Sequence, residues 1–197
     1  MEKSKSFTSP FGIALYPWLS KADVRYKPEG EFKVDLEIST TDAQGMITQI
    51  NSFMDKAVKE AEEKLNKKGI KKSSHVPYKT EQGKTVFKFK MKASGKNQKT
   101  GDSFKQRPAL FDNECNPINP DTTIWGGSVV RINYIPHTYY TPALGAGVTL
   151  RLKAVQVKDL VEGGKADAKF DKVDGNSSSK NTKTNDIEEE LASEADF

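Results

Sequence analysis

The sequence predicts a mainly β protein, an OB-fold (a small antiparallel barrel) with one inserted α-helix and a disordered acidic C-terminal tail. Three observations lead there. Two stretches alternate apolar and charged residues without error, one run of helical period lies between them, and the apolar pattern collapses beyond Glu162. No strand–helix–strand alternation recurs, which argues against a parallel sheet and for a barrel, with a β-sandwich as the alternative.

The first alternating stretch is residues 31 to 38, where Phe32, Val34, Leu36 and Ile38 share one face and charges occupy the other. A period of two with one apolar face marks a half-buried strand. Thr41 and Gln44 then have capping-box spacing, and Ile47, Ile50, Phe53, Met54, Ala57, Val58, Ala61 and Leu65 recur with a helical period up to a stop at Gly69. A polar loop spans about Lys71 to Gly83. The second clear strand starts at Val86, where Phe87, Phe89 and Met91 alternate with Lys88, Lys90 and Lys92. A turn at Gly95 to Gly101 precedes a strand over Ser103 to Phe111, and further strands run over Ser128 to Ile135 and Gly147 to Lys158. In the last of these the buried phase slips from Val148, Leu150 and Leu152 to Val155 and Val157. Such a slip predicts a β-bulge or strong bend, as in a strand that closes a small barrel.

The organisation along the chain is a domain over 1–161, a flexible linker over 162–185 and an interaction tail over 186–197. Charge divides the same way. Residues 1–161 hold 26 Lys and Arg against 17 Asp and Glu, a net of +9, while residues 162–197 hold 5 against 10, a net of −5; the whole chain carries +4. A basic body joined to an acidic tail points to a polyanion-binding domain. No apolar run reaches the length of a membrane span and the N-terminus lacks a signal-peptide pattern, so an intracellular location is expected.

Catalytic and metal chemistry finds no support. Cys115 is the single cysteine, and His75 and His137 lie far apart, in expected loops, without metal-ligand spacing. Gly126-Gly127-Ser128 and Gly145-Ala146-Gly147 lack the phosphate-loop pattern and read as strand starts or close backbone approaches. No cofactor, metal or enzymatic activity is expected.

Binding chemistry is well represented. Aromatic and basic residues alternate in Tyr16-Pro17-Trp18 with Lys21, in Tyr26-Lys27, along the Lys88, Lys90 and Lys92 face continued by Lys96, Lys99, Lys105 and Arg107, and in Tyr134 to Tyr140. Cations follow phosphates and aromatic faces stack on unpaired bases, so this combination suits single-stranded nucleic acid. Core packing is the competing reading for each aromatic, and Tyr139 with Tyr140 are the better exposed-loop candidates. In extended backbone the two point opposite ways, so one at most faces the ligand. The last twelve residues hold six acids and no base, and the chain ends in Phe197. A terminal ring among acids suits docking into a basic partner groove with an apolar pocket.

With these residues assembled, nearly the whole chain resembles the replicative single-stranded DNA-binding proteins of T-seven-like bacteriophages. The resemblance rests on Phe7-Thr8-Ser9-Pro10-Phe11-Gly12-Ile13-Ala14, Tyr16, Lys21-Ala22-Asp23, Phe32 to Leu36, Thr85 to Lys90, Gly126-Gly127-Ser128, Pro142 to Leu150 and the acidic end in Asp196-Phe197. It implies an OB-fold with a long inserted helix, a homodimer, strand annealing, and a tail that contacts the replicative DNA polymerase and the helicase-primase. It also implies a DNA-contacting role for Lys90 and for the Tyr139–Tyr140 region. The family's arginine just before the Phe32 strand is replaced here near Pro28-Glu29, with Arg25 and Lys27 available nearby, and the tail is less acidic than in the best-known members.

The candidate DNA contacts are therefore Lys5, Tyr16, Trp18, Lys21, Lys27, Lys88, Lys90, Lys92, Lys105, Arg107, Arg131, Tyr134, Tyr139 and Tyr140. The candidate partner-binding tail residues are Asp186, Glu188, Glu189, Glu190, Glu194, Asp196 and Phe197. The expected activity is sequence-tolerant binding of single-stranded DNA during phage replication and recombination, in the cytoplasm of the infected bacterial host. The alternatives are an RNA-binding or RNA-chaperone protein and a non-binding replication adapter.

Overall fold

The structure is a computed structural model that describes residues 5–97, 100–161 and 163. The linker over 162–185, apart from Gly163, and the tail over 186–197 with its candidate residues lie outside them. In chain order the strands are β1 (Phe7–Thr8), β2 (Gly12–Asp23), β3 (Glu31–Ser39), β4 (Tyr78–Glu81), β5 (Lys84–Lys92), β6 (Ser94–Lys96), β7 (Ser103–Lys105), β8 (Ala109–Phe111), β9 (Val129–Thr141) and β10 (Gly145–Asp159), with α1 (Thr40–Leu65) between β3 and β4.

The two error-free alternating stretches are neighbours. β3 and β5 pair antiparallel in unbroken register from Glu31↔Lys92 to Ser39↔Lys84. Their inward residues, Phe32, Val34, Leu36 and Ile38 against Phe87, Phe89 and Met91, are all buried. Burying each such side chain contributes about 1.5–3 kcal/mol, which fixes the register, since a one-residue slip would turn the apolar set outward. β2 pairs with β3, β5 runs parallel to β10, β10 pairs with β9, and β9 pairs back to β2. The ring of pairings closes a five-stranded barrel with one inserted helix, the OB-fold expected. The bulge expected in β10 falls between Leu152 and Ala154.

Several features differ from expectation. The longest omission is β2, whose alternation is broken because Tyr16 adopts φ 48° and the register shifts between Leu15 and Trp18. The buried phase accordingly moves from Ala14 to Leu19 and Asp23. Helix α1 begins one residue before Thr41, with Ser39 as its N-cap, whose hydroxyl accepts from the Asp42 N–H at 3.2 Å. It ends at Asn66, which takes the left-handed C-cap conformation three residues before the expected Gly69. The polar loop contains β4, and the strand expected over Ser103 to Phe111 is split into β7 and β8 around Pro108, which has no N–H to give a ladder. The inner stripe of α1, including Met46, Ile50, Met54, Ala57 and Ala61, is buried with the barrel interior.

Candidate nucleic-acid interface

The outward faces of β3, β5, β10 and β9 form the floor of a groove. Register places Trp18, Lys33, Lys90, Arg151 and Ile135 in one transverse row across β2, β3, β5, β10 and β9. One part of the groove is lined by Lys27, Lys90, Lys92, Lys105, Arg151, His137 and Phe104 beside the β6–β7 hairpin. The adjoining part is lined by His75, Val76, Pro77, Lys88, Lys90 and Tyr139, and Lys90, Thr149 and Leu150 belong to both.

Two glycines build the second wall. The segment Lys71 to Ser73 docks on the start of β10, where the Ala146 N–H donates to Lys71 O at 2.9 Å and the Ser73 N–H to Ala146 O at 2.7 Å. A Cβ on Gly145, at φ +86°, would stand 2.2 Å from Lys71 O, so only glycine admits that backbone. A Cβ on Gly147 would stand 2.5 Å from the Tyr139 ring, which lies across it with its hydroxyl 3.2 Å from Ser73 Oγ. The reading of Gly145 and Gly147 as sites of close approach holds.

The cations differ in what they touch. Lys27 is paired with Glu31 at 2.7 Å, Lys84 with Glu37 at 2.7 Å, and Lys33 with Asp23 at 2.7 Å. Asp23 also receives Arg25 at 3.0 Å, and the hydrogen bonds from Arg25 and then Lys33 hold its carboxyl well below the usual carboxylate range. Among the described residues, no carboxylate lies within ion-pair distance of Lys88, Lys90, Lys92 or Lys105. Four unpaired ammonium groups on one concave face form a positive field that attracts a polyanion.

The structure thus brings together Lys27, Lys88, Lys90, Lys92, Lys105 and Tyr139, with Trp18 at the end of the transverse row, its ring covered by Arg25 at 4.7 Å. Of the two basic residues near Pro28-Glu29, Lys27 lines the groove and Arg25 caps Trp18.

The other candidates lie elsewhere. Tyr134 is a core residue, 1% exposed, packed on Phe89 at 5.3 Å and donating to Gln49 Oε1 at 3.0 Å; burial pushes its hydroxyl pKa up to about 12. Arg107 ties β2 to the loop at Pro120 by donating to Ser20 O at 3.0 Å and Pro120 O at 2.6 Å. Arg131 lies over Phe11 at 4.9 Å and donates to Gln156 Oε1. Lys5 sits 5.6 Å from the Phe7 ring, and Tyr16 projects from the β2 bulge at 79% exposure. Lys21 is exposed on β2 away from the groove lining. Tyr139 and Tyr140 are on strand β9, not in a loop, and so is His137. Tyr139 points into the groove and Tyr140 to the opposite side, shared with Thr138, whose hydroxyl donates to Glu60 of α1 at 2.8 Å.

Sequence reading missed Phe104, His137 and Arg151 in the groove lining, and Lys33 beside it, whose ammonium is taken by Asp23. Lys33 between Phe32 and Val34, and Arg151 between Leu150 and Leu152, carried a usable signal in the alternation. Phe104 sits in a three-residue strand too short for a period to show.

The family model for the single-stranded DNA-binding protein of bacteriophage T7 matches residues 12–160. The single-stranded DNA-binding protein of Enterobacteria phage T3 is 31% identical over 196 residues, covering 87% of this chain and 84% of that protein. The crystal structure of gp2.5, a single-stranded DNA-binding protein encoded by bacteriophage T7, superposes with TM-score 0.73 at 28% identity, covering 90% of this chain and all of that one. The bacteriophage Enc34 single-stranded DNA-binding protein in complex with ssDNA shares the fold, with TM-score 0.57 at 14% identity over 80% of this chain and 88% of that one. Each of these relatives is described as a single-stranded DNA-binding protein. Spanning the barrel from β2 to β10, the match shows that this chain belongs to the family of T7-type phage single-stranded DNA-binding proteins.

Proposed function

We propose that this protein binds single-stranded DNA along the β5–β10–β9 groove without strong sequence preference, protecting and annealing strands during phage replication and recombination. The observation that carries this reading is the row of unpaired lysines, Lys88, Lys90 and Lys92 with Lys105, on a concave face that also presents Tyr139 and Phe104. Lysines neutralise successive phosphates and release counterions, while the rings stack on bases regardless of sequence. Ammonium groups and ring faces take phosphates and bases of any sequence, which suits a strand coat. No helix of the described residues is long and apolar enough to cross a membrane; the site of action is the cytoplasm of the infected host. A fluorescence titration with oligo-dT at low salt tests the reading. Nanomolar to micromolar binding that weakens with salt is expected, and no binding at low salt would leave only an adapter role.

The tail belongs to the same proposal. Residues 186–197 recruit the replicative DNA polymerase and the helicase-primase, and in the absence of DNA their charge competes for the basic body. A tethered polyanion acts at high effective concentration, and at about 0.15 M salt the Debye length is about 8 Å. Deleting Asp186 to Phe197 raises DNA affinity at low salt, and an unaltered affinity there rejects the competition. Phe197→Ala leaves DNA binding intact and weakens polymerase binding by about 2 kcal/mol or more, as for a buried aromatic anchor. A homodimer is the expected assembly, to be checked by sedimentation.

A further inference from the structure

Four carboxylates stand on β3 or at the end of β2 beside the groove, and three of them are neutralised in place. Asp23 is held by Arg25 and Lys33, Glu31 by Lys27, and Glu37 by Lys84. The fourth, Asp35, is half-buried in the middle of the sheet, and none of the hydrogen bonds or ion pairs among the described residues reaches its side chain. It lies opposite Lys88 on β5 and opposite Leu15 on β2, with Lys33 two residues before it on its own strand and Lys90 diagonal to it. An unpaired carboxylate thus sits beside the unpaired lysines that would meet phosphate.

We propose that Asp35 is a built-in counter-charge that holds the groove's affinity for the phosphate backbone below what its lysines alone would give, and that it takes up a proton as a strand binds. The inference rests on the groove being the DNA site. The charges facing Asp35 are few and can be named. Lys33 is engaged by Asp23, Glu37 is turned to Lys84, and Leu15 brings no charge, so Lys88 and Lys90 are the groups whose state changes when DNA arrives. In the free protein, burial favours the neutral carboxyl while these lysines favour the anion, and the balance lies on the raised side of the ordinary value. Phosphates that engage Lys88 and Lys90 remove that support and add like charge, so the bound state holds more protons at Asp35 than the free state. Affinity therefore rises as pH falls through the range in which the two states differ. A coat protein must be displaced as polymerase advances, and a carboxylate beside the groove lysines limits the strength of the grip without loosening the fold.

The test compares three proteins, a parent with Asp35 and Lys90 intact, Asp35→Asn and Lys90→Ala, by oligo-dT titration from pH 5 to 7.5 at low and high salt. His75→Gln and His137→Gln are present in all three, because these imidazoles also line the groove. Asp35→Asn is expected to tighten binding about 3- to 10-fold at low salt and pH 7.5, the range for one like charge about 8 Å away at intermediate dielectric. The gain shrinks at high salt, and the pH dependence flattens. If Lys90→Ala leaves affinity unchanged, the groove reading fails and Asp35 falls with it. If Lys90→Ala weakens binding while Asp35→Asn does not tighten it, the groove stands and the counter-charge is overturned. Should Asp35→Asn fail to fold, calorimetric titration of the protein with native Asp35 in two buffers of different ionisation enthalpy counts the protons. Uptake of a fraction of a proton supports the inference and none overturns it.

Discussion

β3 and β5 are adjacent strands of equal length with the same inward pattern, yet their outward faces have opposite capacities. On β3 the charges are mixed in sign, and Glu31, Lys33 and Glu37 are all consumed by partners within the protein. On β5, Lys88, Lys90 and Lys92 share one sign and form no ion pair among the described residues, and β10 adds Arg151 beside Lys90. Inward residues decide that the two strands pair. Outward pairing decides which of them can take a ligand, because a lysine already held by a carboxylate has little left to offer a phosphate.

The comparison implies that the inward faces are interchangeable in cost while the outward faces are not. Phe89→Ala and Leu36→Ala should each lower unfolding stability by several kcal/mol, about 3–5 for the ring and about 2–5 for the leucine, measured by urea denaturation. A loss below about 1 kcal/mol at either would break the claim of a shared core. Tyr139→Ala should cost about 1–3 kcal/mol of oligo-dT affinity with no change in salt slope, since stacking releases no counterions. Tyr140→Ala, on the opposite side, should cost nothing. Equal losses at both would mean that the β9 side assignment is wrong.

Lys90→Ala should weaken binding to all sequences by about 1 kcal/mol and make the log–log salt slope shallower by up to about 0.7, the contribution of one phosphate on a single strand. Lys33→Ala, one strand away in the same transverse row, should change affinity and slope much less because its ammonium is committed to Asp23. A Lys33→Ala loss equal to that of Lys90→Ala would erase the distinction between paired and unpaired lysines. The smallest effect is in acid. Asp23 is depressed in the folded state by Arg25 and Lys33, so its contribution is present above the ordinary carboxylate range, about pH 4, and is lost as pH falls below it towards the folded value. Thermal melts should show Asp23→Asn less stable than wild type at pH 7, with the gap closing below about pH 4.

Much of this was legible in the chain. β3, β5, the helix and the β10 bulge could be read because each carries an uninterrupted period, or in β10 a single interpretable slip. β2 could not, because one residue at positive φ, Tyr16, resets the alternation and hides both halves. Lys88, Lys90, Lys92 and Tyr139 were legible as residues of one outward face, since an alternating strand fixes its outward set, and that face lines the groove. Tyr134 and Arg107 carried the same signal of an aromatic or basic residue near others of their kind, and the fold uses one as core and the other as a tie between β2 and the loop at Pro120.

The sequence by itself determined the two alternating strands and their core face, the amphipathic helix, the division into a basic body and an acidic end, and the lysine row of β5. These are local properties, set by periods of two and 3.6 residues and by composition, and they need no knowledge of what lies across the sheet. Only the tertiary structure decided which cations stay free. Lys33 meets Asp23 because the β2–β3 turn brings together residues ten positions apart, whereas Lys88 and Lys90 form no ion pair among the described residues: β10 sets Arg151 beside Lys90, and Asp35, opposite Lys88 on β3, does not bond to either lysine. Pairing is a property of register and closure, and those are fixed by the buried faces of strands far apart in the chain.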